Sequence, residues 1–257
     1  MPPGARLTRR AALLLVVAGL TLAASAACSS GSLVKQYEYE EDIYLSVDGS
    51  ATIYVNASIP ALVNMRGLDL KTEPTARLDR ARVRELFTSP GVRVARISSW
   101  RRFGRRFVQV RLAVDNVTTL SGSAPFAWAT YSFTRRDGLV TYRQVLGAAA
   151  GVAVPNLKLK GDELVAFRLH VPSRIRYHNA GEGNLKRGNI LVWEQAFAAR
   201  QVSSPLEIEA RFEETSILAS TLMLFLVSGG LAMAVLALII WGVVRKGRKA
   251  SASPQQG

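Results

Sequence analysis

The chain is poor in the side chains that carry most metal and nucleophilic chemistry. In 257 residues it has one cysteine, Cys28, and two histidines, His170 and His178. A lone cysteine cannot pair within the chain, so no intrachain disulfide supports the fold. Two histidines with neither a cysteine nor a carboxylate cluster beside them make no transition-metal site. His170 falls mid-strand opposite the apolar set Val165, Phe167 and Leu169, where a solvated or cross-strand-paired imidazole is expected. His178 lies among turn residues, as loop histidines do. No G-x-S-x-G, H-E-x-x-H, P-loop or G-x-G-x-x-G motif is present. Glu40-Glu41-Asp42 lacks the spaced oxygens of a calcium loop and is expected to be a charged edge strand. Asp162 and Glu163 are adjacent, and neighbours in a strand point to opposite faces, which makes them a poor acid–base dyad. The expectation is a non-enzyme with no cofactor. A hydrolase or transferase acting on envelope lipid or polymer is the alternative.

What the chain does have is apolar sequence at both ends. No charged residue occurs from Thr215 to Val244, and Leu222–Val244 is nearly all apolar. About 20 such residues cross a bilayer core as a helix. Arg245, Lys246, Arg248 and Lys249 follow at once, a stop-transfer cluster that the positive-inside rule places in the cytoplasm. At the other end Arg6, Arg9 and Arg10 precede a short apolar run, Ala11–Ala24, which is the layout of a secretory signal. Cys28 follows Ala24-Ser25-Ala26-Ala27, where a bacterial lipoprotein signal places the thiol that receives a diacylglycerol. Ala24-Ser25-Ala26 also meets the ordinary A-x-A cleavage rule, which would leave Cys28 unmodified. The expected division is a signal peptide over 1–27, an exported domain over 28–214, a membrane helix over 215–244 and a basic cytoplasmic tail over 245–257. The protein is thereby expected in the bacterial cytoplasmic membrane as a single-pass protein with its large domain outside.

Charge has to be divided by compartment. Three arginines fall in residues 1–28 and four basic residues in 244–257, leaving 26 basic against 19 acidic residues between, a net +7. Outside the membrane the anions within reach are lipid headgroups and acidic envelope polymers, so no nucleic-acid partner is expected. The basic residues cluster. Trp100-Arg101-Arg102-Phe103-Gly104-Arg105-Arg106-Phe107 puts Arg101, Arg102, Arg105 and Arg106 around one hairpin tip between aromatics. Arg77, Arg80 and Arg84 share one face if Pro74–Phe87 is helical. These seven arginines are the candidate anion-binding set, against the plainer reading of a solvated basic tip.

The exported domain is expected to be α+β: antiparallel and sheet-rich, with one or two short helices. Ser32–Val47 alternates, Asp48-Gly49 supplies two positive-φ residues for a tight hairpin, and Ala51–Ala57 returns. Further hairpins turn at Phe103-Gly104 and Asp137-Gly138. Residues 146–162 form a loop, and Glu163–Val171, Asn189–Phe197 and Leu206–Phe212 are the last strands. Pro60–Arg66 is a short helix stopped by Gly67, and Trp193 is expected in the core.

Leu169–Ala180 (LHVPSRIRYHNA) and Gly188–Gln195 (GNILVWEQ), with the exported cysteine before them and the anchor behind, resemble the LppM-domain family of bacterial envelope lipoproteins. The resemblance implies a membrane-tethered α+β domain of the cell envelope, with no catalytic residue set. Two non-enzymatic readings follow: a binding or assembly module that meets anionic lipid or envelope components, and a structural subunit. The second would act with a membrane-protein partner through the small residues Ser228, Gly230, Ala232 and Ala234 of the helix.

Overall fold

The computed structural model describes residues 35–155, 157, 159–181, 184–186, 188–202, 204–215 and 217–251. The signal segment, Cys28 and the last residues of the basic tail lie outside these. The strands are β1 (Tyr37–Leu45), β2 (Ala51–Ser58), β3 (Val92–Arg102), β4 (Arg105–Val114), β5 (Ala129–Arg136), β6 (Leu139–Leu146), β7 (Leu164–His170), β8 (Ile175–His178), β9 (Leu185–Lys186), β10 (Ile190–Ala196) and β11 (Leu206–Glu213). They form a seven-stranded sheet, β3-β4-β2-β1-β7-β10-β9, and a four-stranded sheet, β5-β6-β11-β8. All pairings are antiparallel except β1 with β7. The fold is thus α+β and sheet-rich, as the alternating sequence requires.

Alternation decides which side chains meet between the sheets. Ile43, Ile53, Val110, Leu112, Val165 and Leu169 from the larger sheet are buried with Val140, Tyr142, Ile208, Ala210 and Phe212 from the smaller one. Trp193 joins them at 6% exposure.

Two of the three hairpin turns form as their dipeptides demand. Phe103 and Gly104 have φ of 51° and 70°, and Asp137 and Gly138 have 55° and 74°, the paired left-handed residues that match strand twist. At the first hairpin only Gly49 is left-handed, at 89°. The connection is longer than expected, Ser46–Ser50, and Asp48 instead accepts from the Ser50 amide at 2.9 Å and hydroxyl at 2.7 Å.

Helix α1 (Ile59–Arg66) starts with Ser58 accepting from the Ala61 amide and Pro60 in its first turn. It ends at left-handed Gly67, whose N–H donates to Val63 O. Helix α2 is shorter than expected, Arg80–Phe87, because Asp79 caps it by accepting from the Arg82 amide at 2.9 Å. Arg77 therefore precedes the helix and does not share a helical face with Arg80 and Arg84. Helix α3 (Phe197–Gln201) is a single short piece, and α4 (Ile217–Ser251) closes the chain. Within α4, Thr221–Arg245 is long and apolar enough to cross a membrane, and none of it is buried against the domain. The guanidinium of Arg245 lies 5.0 Å from the Trp241 ring centre.

The Glu40–Asp42 segment corrects the edge-strand expectation: β1 is a central strand, between β2 and β7. Glu40 and Asp42 face outward and share Arg168 at 2.7 and 3.2 Å. Glu41 faces inward, fully buried. Strands β8 and β9 occupy a stretch expected to be loop.

Candidate functional site

The end of the β3–β4 hairpin sorts the four arginines that the sequence places together. Alternation turns Arg105 inward, where it is paired with Glu38 and, at 3.4 Å, with Glu163; all three side chains are 9% exposed or less. Glu163 also accepts from the backbone N–H groups of Lys160 and Gly161, and these bonds hold its carboxyl below the usual range against the opposing effect of burial. That network is structural, so Arg105 leaves the candidate anion-binding set. Arg102 is exposed, its guanidinium 4.5 Å from the Phe103 ring centre. Arg84 points away from the tip and donates to Val94 O at 2.9 Å.

The other four candidates converge. Arg77, Arg80, Arg101 and Arg106 line one cleft of about 480 Å³, between the Thr75–Arg80 segment and the β3–β4 arm, with Ile59 and Leu78 at its base. No carboxylate lines it. Its aromatic wall is Trp100, 39% exposed, stacked on Phe107 at 5.7 Å between ring centres and 18° between planes. Among the described residues Arg77, Arg80 and Arg101 have no hydrogen-bond or ion-pair partner. Arg106 is buried; its guanidinium donates to Lys71 O, and its Nε is left without a partner. Burial and the charge of Arg101 push the Arg106 guanidinium down from its ordinary range, opposed by Glu73. Like charges that nothing lining the cleft offsets are the electrostatic demand that a bound anion meets.

A second cleft of about 310 Å³ adjoins the first across Arg77 and Leu78 and shares Ile59 and Arg106 with it. It is mixed in charge. Arg82 there is tied to Asp69 at 3.2 Å and to Glu85 at 3.0 Å.

Elsewhere the histidines and carboxylates singled out by sequence do not converge on one site. The His170 ring stacks on Tyr44, 3.8 Å between centres, and burial depresses its pKa. His178 Nδ1 lies 3.1 Å from Ala180 O. Asp162 is exposed while Glu163 is buried and consumed by Arg105, so the two carboxylates do not converge. Between the sheets lies a polar cluster that sequence patterning missed. Arg66, its side chain 1% exposed, sits 3.6 Å from Glu41 and over the rings of Tyr39 and Trp128. Its signal was the inward place of Glu41 in an alternating strand, where a charge needs a partner. This cluster lines neither cleft.

No protein-family model and no curated protein matches the chain. Among solved structures, the folded domain of the Mycobacterium tuberculosis LppM protein, determined by NMR, shows a weak structural resemblance. It is 12% identical, with a TM-score of 0.39, over 74% of this chain and 98% of that one.

Proposed function

We propose that this protein is a membrane-tethered, non-enzymatic binding module of the bacterial cell envelope, and that it binds an anionic group in the cleft lined by Arg77, Arg80, Arg101 and Arg106. The apolar helix within α4 crosses the cytoplasmic membrane, the basic residues after Val244 stay inside, and the sheet domain is outside. One observation carries the reading: four arginines line a cleft that offers them no carboxylate. Guanidinium forks suit phosphate and carboxylate oxygens, and the Trp100–Phe107 stack provides a flat apolar wall for the group that carries the anion.

The test is calorimetric titration of the full-length protein in neutral detergent with pyrophosphate. Binding is expected to weaken steeply with salt and to fall at least tenfold in Arg77→Gln/Arg80→Gln/Arg101→Gln, with thermal stability not lowered. Equal binding by the triple variant would refute the assignment.

A further inference from the structure

The cleft and the membrane helix leave the domain at opposite ends. Strand β11 runs from Leu206 to Glu213, and α4 begins at Ile217. At the Glu213 end lie Leu139 and Arg136 by strand register, and Arg174 O, which accepts from the Glu213 amide at 3.1 Å. The β1–β2 turn is at the same end: Arg135 donates to Val47 O at 2.7 Å, and Phe133 packs against Gly49. From that turn β2 runs the other way, Ala51 opposite Val114 and Ser58 opposite Phe107. Arg101, Arg106 and Trp100 are thus at the far end. Eight residues of β2 amount to roughly 26 Å of strand.

At the helix end Arg136 is paired with Asp137 at 3.3 Å and Arg176 with Glu213, while Arg135 donates to Val47 O. On the outward faces Arg168 is paired with Glu40 and Asp42 on the larger sheet and Arg143 with Glu207 at 2.5 Å on the smaller, while Arg96 and Arg111 stand opposite one another on β3 and β4. Arg77, Arg80 and Arg101, without an ion-pair partner among the described residues, lie together at the end farthest from β11's exit.

Resting on the proposed binding cleft, we infer that its ligand is a polyanionic chain of the envelope reached on the side away from the anchoring bilayer, and not a headgroup of that bilayer. The second cleft continues the first across Arg77 and Leu78 and adds Lys71 and Arg82 beside Asp69 and Asp79, so basic groups extend beyond a single anion site.

The test uses full-length protein, in a Cys28→Ser background, inserted in vesicles of neutral lipid alone or with anionic lipid. A fluorophore on Arg102→Cys is compared with one on Arg136→Cys for energy transfer to acceptors at the bilayer surface. Long-chain polyphosphate and separate anionic vesicles serve as ligands for unlabelled protein. The inference expects strong transfer from position 136, little from 102 in either lipid, and polyphosphate binding undiminished by anionic lipid in the anchoring vesicle. That binding should fall at least tenfold in the Arg77, Arg80, Arg101 triple variant. If anionic lipid draws position 102 to the surface and blocks polyphosphate, the cleft serves its own bilayer; the inference then fails while the binding function stands. If separate vesicles dock more tightly than polyphosphate, the ligand is an opposed membrane and the polymer assignment is overturned. Absence of binding to pyrophosphate, polyphosphate and both vesicle surfaces defeats the binding function itself.

Discussion

Trp193 on β10 donates its indole N–H to Asn179 Oδ1 at 3.1 Å. The same oxygen accepts from the Glu209 amide at 2.9 Å, and Asn179 Nδ2 donates to Glu207 O at 2.9 Å. One amide side chain thereby ties a strand of the seven-stranded sheet to β11 of the four-stranded one. Trp193→Ala removes a buried ring and this tie together, and an aromatic truncation of that kind costs about 3–5 kcal/mol. Trp193→Phe keeps most of the volume and loses the hydrogen bond, so its cost should be closer to ~1 kcal/mol. Urea denaturation of the two variants checks both values and their order.

Arg102 and Arg105 are neighbours across the same turn and should behave oppositely. Arg105→Ala removes the cation that Glu38 and Glu163 share in the interior, and breaking a buried pair by deleting one partner costs about 3–5 kcal/mol. Arg102→Ala removes an exposed side chain and should stay within about 0.5 kcal/mol of wild type. Melting temperatures of the two single variants decide it; similar losses would mean that the hairpin tip is structural throughout.

The contrast shows where sequence reasoning reaches. Local rules suffice for the Asp137-Gly138 and Phe103-Gly104 turns, for the Gly67 stop and for the apolar alternation that makes Trp193 core. They also identify the arginines. They do not say which ones face solvent, because the inward turn of Arg105 depends on Glu38 and Glu163, which are 67 and 58 positions away. The helical face proposed for Arg77, Arg80 and Arg84 failed at one residue, Asp79, whose carboxylate caps the helix after Arg77. The cleft nevertheless reunites Arg77 and Arg80 with Arg101 and Arg106 through packing. Strand order is a long-range property as well, so a charged triplet that suits an edge could occupy the centre of a sheet once Arg168 and Arg66 arrived from elsewhere.

Glu41 and Arg66 predict a pH dependence. Burial raises the Glu41 carboxyl above its ordinary 4.5, against the opposing pull of Arg66 and the hydrogen bonds from Tyr39 and Gln144. The unfolded chain releases that proton at lower pH than the folded one does. Between the two values the folded state binds more protons, so stability is greatest below about pH 4.5 and declines as pH rises through the folded value. Glu41→Gln should remove this component of the slope in pH-resolved thermal melts. Arg66→Ala, which leaves Glu41 without its cation, should cost about 3–5 kcal/mol, whereas Glu41→Leu/Arg66→Met should recover most of it.

Topology is tested by reporter fusions and mass. A fusion at Asn116 should read as exported and one at Ser251 as cytoplasmic; a cytoplasmic signal at Asn116 would overturn the membrane reading. The mature chain is expected to start at Cys28 with a diacylglycerol mass that is lost in Cys28→Ser. A start at Ala27 with a free thiol would leave α4 as the sole anchor.

The cleft predicts a stability effect independent of any particular ligand. Arg77, Arg80 and Arg101 repel one another and Arg106 around a space that no carboxylate lines. Removing one of them should therefore cost nothing and, at low salt, raise the melting temperature slightly, which is opposite in sign to the loss expected at Arg105. The repulsion is screened within about 10 Å at 0.1 M salt, so the gain should fade as salt is added. Pyrophosphate bound at about 100 times its dissociation constant should stabilise the wild type by roughly 2.7 kcal/mol through mass action. Arg101→Gln should show the gain without ligand and a smaller shift with it. A variant destabilised in the absence of ligand, with its pyrophosphate shift intact, would mean that Arg101 supports the hairpin and does not hold the anion.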